Sequence, residues 1–303
     1  MQAQSARAPY IGLWSRLDGF RREDLTRAYE QRKVVRATLF RVTIQLVSAR
    51  DHPAFAAVMH SRWRDEFDNW GLPAEELAAR VHAMAKAGPF TYAEANRAMP
   101  ELPERLQWRV RCLTPLVHVP PAGIWGNVRV RVTTAERWLG HPFPDSRAAA
   151  TLLVRRYVAA YGPATRADLL RFAGLRVKDV SAGFEALEPQ LVVFEAEDGR
   201  VLFDLRRAPR PPADTPVPVR FLPEWDQLIL AYDERRRILP AEVHSTVIRK
   251  NGDVRPTFLV DGVVAGLWNW KDGKVQLDPF APLPRPARRE LDDEARRLAA
   301  FLA

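Results

Sequence analysis

Gly162-Pro163-Ala164-Thr165-Arg166-Ala167-Asp168-Leu169-Leu170 ends one helix and starts another. Gly-Pro cannot continue the helical sequence before it and sets a turn. Thr165 stands three places ahead of Asp168, the spacing of a capping box, in which hydroxyl and carboxylate each take up a free backbone N–H at a helix start. Helical sequence then runs to Leu187. Beyond it Leu191-Val192-Val193-Phe194 and Val201-Leu202-Phe203-Asp204-Leu205 read as two strands joined across Asp198-Gly199, a hairpin signal.

The same order recurs twice upstream. Gly88-Pro89-Phe90-Thr91-Tyr92-Ala93-Glu94 carries the full capping box, followed by helical sequence through Cys112. Two strands follow, Leu116-Val117-His118-Val119 and Asn127-Val128-Arg129-Val130-Arg131-Val132, closed by Pro120-Pro121-Ala122-Gly123. Earlier still, Gly19-Phe20-Arg21-Arg22-Glu23-Asp24-Leu25 leads through Thr26–Arg36, read as helix, into the strand sequence Thr38–Val47. Helix, tight turn, helix and hairpin make a winged helix-turn-helix, and repetition at a fixed grammar is stronger evidence than any one copy.

A Pro-rich connector (Pro209, Pro211, Pro212, Pro216, Pro218) breaks regular structure and marks a boundary. Past it, Thr246–Lys250, Val254–Val260, Val263–Lys271 and Lys274–Leu277 read as strands. Asn251-Gly252, Asp261-Gly262 and Asp272-Gly273 separate them, so an antiparallel meander is expected, with positive φ at Gly252 and Gly262. A last helix carries Leu291, Ala295, Leu298 and Leu302 at helical spacing. The fold class is therefore α+β: tandem winged helix-turn-helix units, then a β-rich, meander or barrel-like domain with a terminal helix. The expected division is 1–58 (a first winged helix, incomplete at its N-terminus), 59–142, 143–208 and 217–303.

The chain has 303 residues and a net charge of +9. Between Arg21 and Arg50 eight Lys/Arg face three Asp/Glu, a local net of +5. Such an excess points to a polyanionic partner. No apolar run is long enough to span a bilayer and no signal peptide is apparent. The single Cys112 has no partner for an internal disulfide, which fits a reducing, cytoplasmic setting.

The common catalytic patterns are missing. The six histidines show no HExxH and no zinc spacing, and no nucleophile elbow or phosphate-binding glycine loop occurs. No metal and no cofactor is expected. His118 reads as a hairpin residue, Asp65-Glu66-x-Asp68 as a solvated face, and Glu224 with Asp226 as part of a structural turn beside Trp225. Gln2 and Gln4 remain, two amides that share a face only in extended chain or at a kink.

The opening Gln2-Ala3-Gln4-Ser5-Ala6-Arg7-Ala8-Pro9-Tyr10-Ile11-Gly12-Leu13-Trp14-Ser15-Arg16-Leu17 resembles the "LQAQ…SPYLGLWARL" start of the AlkZ/YcaQ DNA glycosylase family. Arg41–Val47 is similar to that family's first wing, and Tyr161–Asp168 to the start of its third unit. Phe221-Leu222-Pro223-Glu224-Trp225-Asp226 and Leu259-Val260-Asp261-Gly262-Val263-Val264-Ala265-Gly266-Leu267-Trp268 are similar to its C-terminal signature. The resemblance implies winged helices around duplex DNA and excision of alkylated purines, crosslinked guanines included. It makes Gln2 and Gln4, of the Gln-apolar-Gln branch, the catalytic pair, with Gln4 holding the attacking water. It places Arg32, Lys33, Arg36, Arg41 and Gln45 on the DNA, Gln45 standing where many relatives have His. The expected partner is double-stranded DNA in the nucleoid, met by a monomer. Relatives carry a few dozen residues ahead of the glutamine motif. A chain beginning at Met1 should therefore leave Ile11, Leu13, Trp14, Leu17 and Phe20 short of apolar cover, with a loosened first unit. A non-catalytic winged-helix DNA-binding protein is the alternative, and an interaction protein that binds no DNA a third.

Overall fold

The computed structural model describes residues 1–127, 129–140 and 142–303. Contacts gather them into two compact units, named here for their place in the sequence. The middle unit is Arg22–Ala208; the terminal unit joins Met1–Arg21 to Pro209–Ala303. The chain opens in the terminal unit with α1 (Ala8–Trp14), which buries Tyr10 and Ile11. Pro9 sits in its first turn, where a missing N–H costs nothing.

The middle unit begins with α2 (Arg22–Glu30), whose Glu23 and Asp24 complement the positive helix start. Then come β1 (Val34–Thr38) and β2 (Ile44–Ser48), an antiparallel pair with Ala37 opposite Gln45. The helical reading of Thr26–Arg36 thus fails at its end. Val34-Val35-Arg36 is strand, because two adjacent β-branched residues prefer the pleated sheet to the helix. Helices α3 (His52–Asn69), α4 (Ala74–Ala87) and α5 (Tyr92–Arg97) follow, and Glu104–Cys112 is a 3-10 helix rather than α. β3 (Leu116–His118) and β4 (Val132–Thr134) close the next hairpin. Its second strand lies C-terminal to the expected Asn127–Val132; Val128 falls outside the described residues, and pairing starts with Val119 N–H on the Arg131 carbonyl.

The two hairpins do not stand apart. β1 pairs with β3, Arg36 opposite His118, and the sheet runs β2-β1-β3-β4. After α6 (Ala135–Leu139) come α7 (Ser146–Tyr161), α8 (Arg166–Ala173), α9 (Val177–Leu187) and the separate hairpin β5 (Leu191–Glu195) and β6 (Val201–Leu205). Both capping boxes read from the sequence form. The Thr91 hydroxyl accepts from Glu94 N–H at 3.1 Å and the Glu94 carboxylate from Thr91 N–H at 2.6 Å. Thr165 and Asp168 do the same at 3.0 and 2.8 Å.

In the terminal unit, β7 (Arg220–Leu222) and the short helices α10 (Gln227–Leu230) and α11 (His244–Val247) precede β8 (Thr257–Val260), β9 (Val263–Lys271) and β10 (Lys274–Pro279). The sheet is a meander in the order β10-β9-β8-β7. Thr246–Lys250 is not a strand: it begins in α11, and its flank makes one bridge, Ile248 with Val254. Asp261 and Gly262 have φ of 50° and 75°, Asp272 and Gly273 51° and 72°. Two successive left-handed residues match the twist of the flanking strands. Gly252 is left-handed as well, at 87°. Leu222, Ile229, Leu239, Val247, Leu259 and Leu267 form the core. The terminal helix α12 (Arg285–Leu302) packs on β10 and buries Leu291, Leu298 and Leu302. Among the described residues no helix is long and apolar enough to cross a membrane.

Candidate functional site

Gln2, Ala3 and Gln4 lie in the irregular segment that leads into α1. Gln2 is 4% exposed and Ala3 fully buried, whereas Gln4 is exposed. The two amides therefore meet different surroundings. The Gln2 Oε1 atom is buried and accepts no hydrogen bond within the described residues. An acceptor left unpaired in the interior costs about 1–3 kcal/mol, so its retention calls for a reason such as a water or a ligand group.

The segment is firmly underpinned. Arg16 donates to the Gly12 carbonyl at 2.9 Å and to the Asp226 carboxylate at 2.7 Å. Asp226 is 4% exposed and also caps α10 by accepting from Leu228 N–H at 2.9 Å. The Glu224–Asp226 stretch is the structural turn expected, with Trp225 at a φ of 53°. A Cβ on Gly12 would come within 2.6 Å of the terminal methyl of Met1, a flexible side chain that can move, and 3.6 Å from Pro223, an ordinary contact, so the Met1 side chain packs on this face of α1. Trp14 stacks on Phe301 at 5.8 Å and Phe20 meets the same ring at 6.1 Å. The expected lack of apolar cover is corrected for Trp14 and Phe20, which Phe301 of α12 covers. Of the five residues named, Ile11 is buried and only Leu17 stands more than half exposed, at 51%.

The basic hairpin lies in the middle unit. Arg32 and Lys33 are exposed in the turn between α2 and β1, Arg32 at a φ of 55°. The Arg32 guanidinium lies 4.0 Å over the Trp138 ring and donates to the Trp138 carbonyl at 3.1 Å. At the hairpin tip Arg41 and Val42 are both left-handed, with φ of 53° and 57°. A β-branched residue rarely adopts that conformation, so the tip is held by its surroundings. Arg41 donates to the Phe172 carbonyl at 2.6 Å, which ties the tip to α8. Arg36 and Gln45 point inward, 4% and 1% exposed. Gln45 donates to the Thr43 hydroxyl at 2.7 Å. Of the five positions expected on DNA, the structure leaves Arg32 and Lys33 open, half-buries Arg41 and buries Arg36 and Gln45.

Two readings change. The Asp65-Glu66-x-Asp68 face is partly solvated, as read, with Asp68 exposed, but Asp65 and Glu66 are also the centre of ion pairs. Asp65 meets Arg176 at 2.8 Å and Lys178 at 3.0 Å; Glu66 meets Arg62 at 2.6 Å and Arg109 at 2.5 Å. These partners are distant in sequence, Arg62 excepted, so no local spacing announces them. His118 is a structural residue, as read, but a fully buried one, with Tyr92 Oη 3.3 Å from its Nε2. Arg16 and Asp226, the brace under α1, stand 210 positions apart and left no signal in the sequence beyond the two motifs that contain them. No group of three or more metal-ligating side chains gathers among the described residues.

A family profile described as AlkZ-like, "DNA glycosylase AlkZ-like", matches residues 1–301. The chain belongs to the AlkZ-like DNA glycosylase family. Over 167 residues it is 27% identical to a protein of Streptomyces sahachiroi named "Interstrand DNA cross-link repair glycosylase". That match takes in 54% of this chain and 44% of the relative, less than half of the relative's length. The fold is similar to the solved structure of the Streptomyces sahachiroi DNA glycosylase AlkZ, with a TM-score of 0.83 and 21% identity. The likeness covers 100% of this chain and 88% of that one. The α+β architecture of this family, helices with small antiparallel sheets, is the one described above.

Proposed function

We propose that this chain is a DNA glycosylase that hydrolyses the N-glycosidic bond of N7-alkylated purines, crosslinked guanines included, in duplex DNA. It acts on nucleoid DNA in the cytoplasm, and as a monomer. Within the middle unit, the segments 59–142 and 143–208 serve as winged-helix units. The strands of the first hairpin, in 1–58, share a sheet with those of the second.

The observation that carries this reading is the glutamine pair within a family-wide match: a buried amide oxygen at Gln2 with no donor among the described residues, and an exposed amide two residues on at Gln4. The chemistry suits two neutral amides. A purine alkylated at N7 is already cationic, so the C1′–N9 bond can break with its electron pair going to the base and no acid is required. What remains is to steady a positive sugar and to place water. Gln2 Oε1 is the negative end of a dipole in a buried setting, where such a dipole acts more strongly than in water. Gln4 holds the water whose oxygen bonds to C1′; the water gives its proton to solvent. Holding water and sugar in line removes much of the entropy from the step. Arg32 and Lys33, exposed in the basic turn, supply phosphate contacts, which position duplex without reading its sequence.

The test is a duplex carrying one N7-methylguanine, incubated with the protein and analysed for free base by chromatography. Release of 7-methylguanine supports the reading. A chain that binds the duplex and releases none is a DNA-binding protein without this activity.

A further inference from the structure

The middle unit contains a cleft of about 630 Å³ walled by α3, α4, α6 and the ends of β3 and β4. It contains neither glutamine of the proposed pair. Its size falls in the range of small-molecule sites, about 300–1,000 Å³. Its wall is rich in hydrogen-bonding side chains: His60, Ser61, His82, Thr114 and Thr134. His60 Nε2 lies 2.6 Å from the Leu113 carbonyl and must carry the proton to bond there, which leaves Nδ1 as an acceptor. Burial, before any other influence, holds the His60 imidazole below its ordinary value, so the ring is neutral at neutral pH. His82 Nε2 and the Thr114 hydroxyl share a bond of 3.1 Å in the same wall.

Charge gives little direction. Asp65 is already held by Arg176 and Lys178, and Arg64 and Glu136 bring one charge of each sign. The lining has no dominant sign, which disfavours both a phosphate and a metal cation. Phe143 adds an aromatic ring that is 40% exposed. Neutral donors and acceptors beside an open aromatic ring suit a flat, uncharged heterocycle that both stacks and hydrogen-bonds.

We propose that this cleft is a small-molecule site for a neutral, planar heteroaromatic of nucleobase kind. Its occupant binds from solution, independently of any DNA substrate. The site uses residues of the middle unit alone, so it stands or falls separately from the glycosylase reading.

Isothermal titration calorimetry of the full chain without DNA provides the test, with adenine as probe and inorganic phosphate as competitor. Adenine is expected to bind, and phosphate to leave the isotherm unchanged. Phe143→Ala should weaken adenine roughly tenfold or more, the scale of one lost base–aromatic stack. Phe143 is partly exposed, so this variant should keep the wild-type melting curve; Thr134→Val tests the polar wall in the same way. Gln4→Ala should bind adenine like the wild type. No heat with adenine at millimolar concentration, displacement by phosphate, or wild-type affinity in both cleft variants would overturn the proposal.

Discussion

His52 and His118 are buried imidazoles. Neither ring nitrogen of His52 has a hydrogen-bond partner among the described residues, and burial pushes its pKa down to about 4. Burial first, then the Arg36 and Arg111 guanidinium groups, pushes His118 down to about 3. In the unfolded chain each returns to about 6.5. The unfolded state therefore binds more protons below pH 6.5, and stability rises with pH up to that point. It is full above about pH 6.5 and is lost as pH falls toward 4 and 3. The loss is on the order of 1 kcal/mol per pH unit for each histidine. Urea unfolding between pH 7.5 and 4.5 should show it, and His52→Leu should flatten the acid limb. An unchanged slope in that variant contradicts the assignment. At this scale the sequence said little. His118 was legible as a hairpin residue, but its depth follows from β3 lying inside a four-stranded sheet, a long-range pairing with β1 that no local pattern encodes.

The helix pair α7 and α9 depends on one glycine. A Cβ on Gly183 would stand 2.6 Å from the Ala150 carbonyl oxygen and 3.0 Å from Thr151 N, both backbone atoms that cannot swing aside. Gly183→Ala should destabilise the middle unit by about 1–3 kcal/mol, the usual cost of overpacking, despite the better helix propensity of alanine. A thermal melt equal to or above that of the wild type would show that the two helices are not so closely packed. Gly266 on β9 has the same role against Phe258 and the Asp278 carbonyl. Elements were the most legible level. Capping boxes at Thr91 and Thr165 and the Asp-Gly turns at 261–262 and 272–273 formed as written, because each is decided within four residues. Thr246–Lys250 and Thr26–Arg36 misled for the opposite reason: short stretches with mixed propensity take the structure their neighbours impose.

At the scale of the whole molecule, the first helix joins the last. Trp14 and Phe20 on Phe301, and Arg16 on Asp226, tie α1 to residues more than 200 positions away. The resemblance suggested instead that these apolar residues lacked cover, since relatives carry residues ahead of the glutamine motif and a contact with the far end of the chain leaves no local pattern. The Gln2-Ala3-Gln4 pair was legible only through its resemblance to a family motif; the burial that separates the two amides was not. The basic excess was plain in the sequence, and the structure keeps Arg32 and Lys33 open. Binding to duplex DNA should weaken steeply with salt as phosphate contacts release counterions, whatever the base sequence. Affinity that stays constant from 50 to 200 mM salt would contradict a phosphate-led interface.

The central claim is that the two amides at the start of the chain carry the excision step. Single-turnover release of 7-methylguanine from a duplex tests it most directly, comparing the wild type with Gln4→Ala under saturating protein. Because Gln4 is exposed, its loss should leave the melting curve and duplex binding unchanged while the rate falls by roughly a hundredfold or more, the scale of one lost positioning or dipolar group. Release by Gln4→Ala at the wild-type rate would contradict the account.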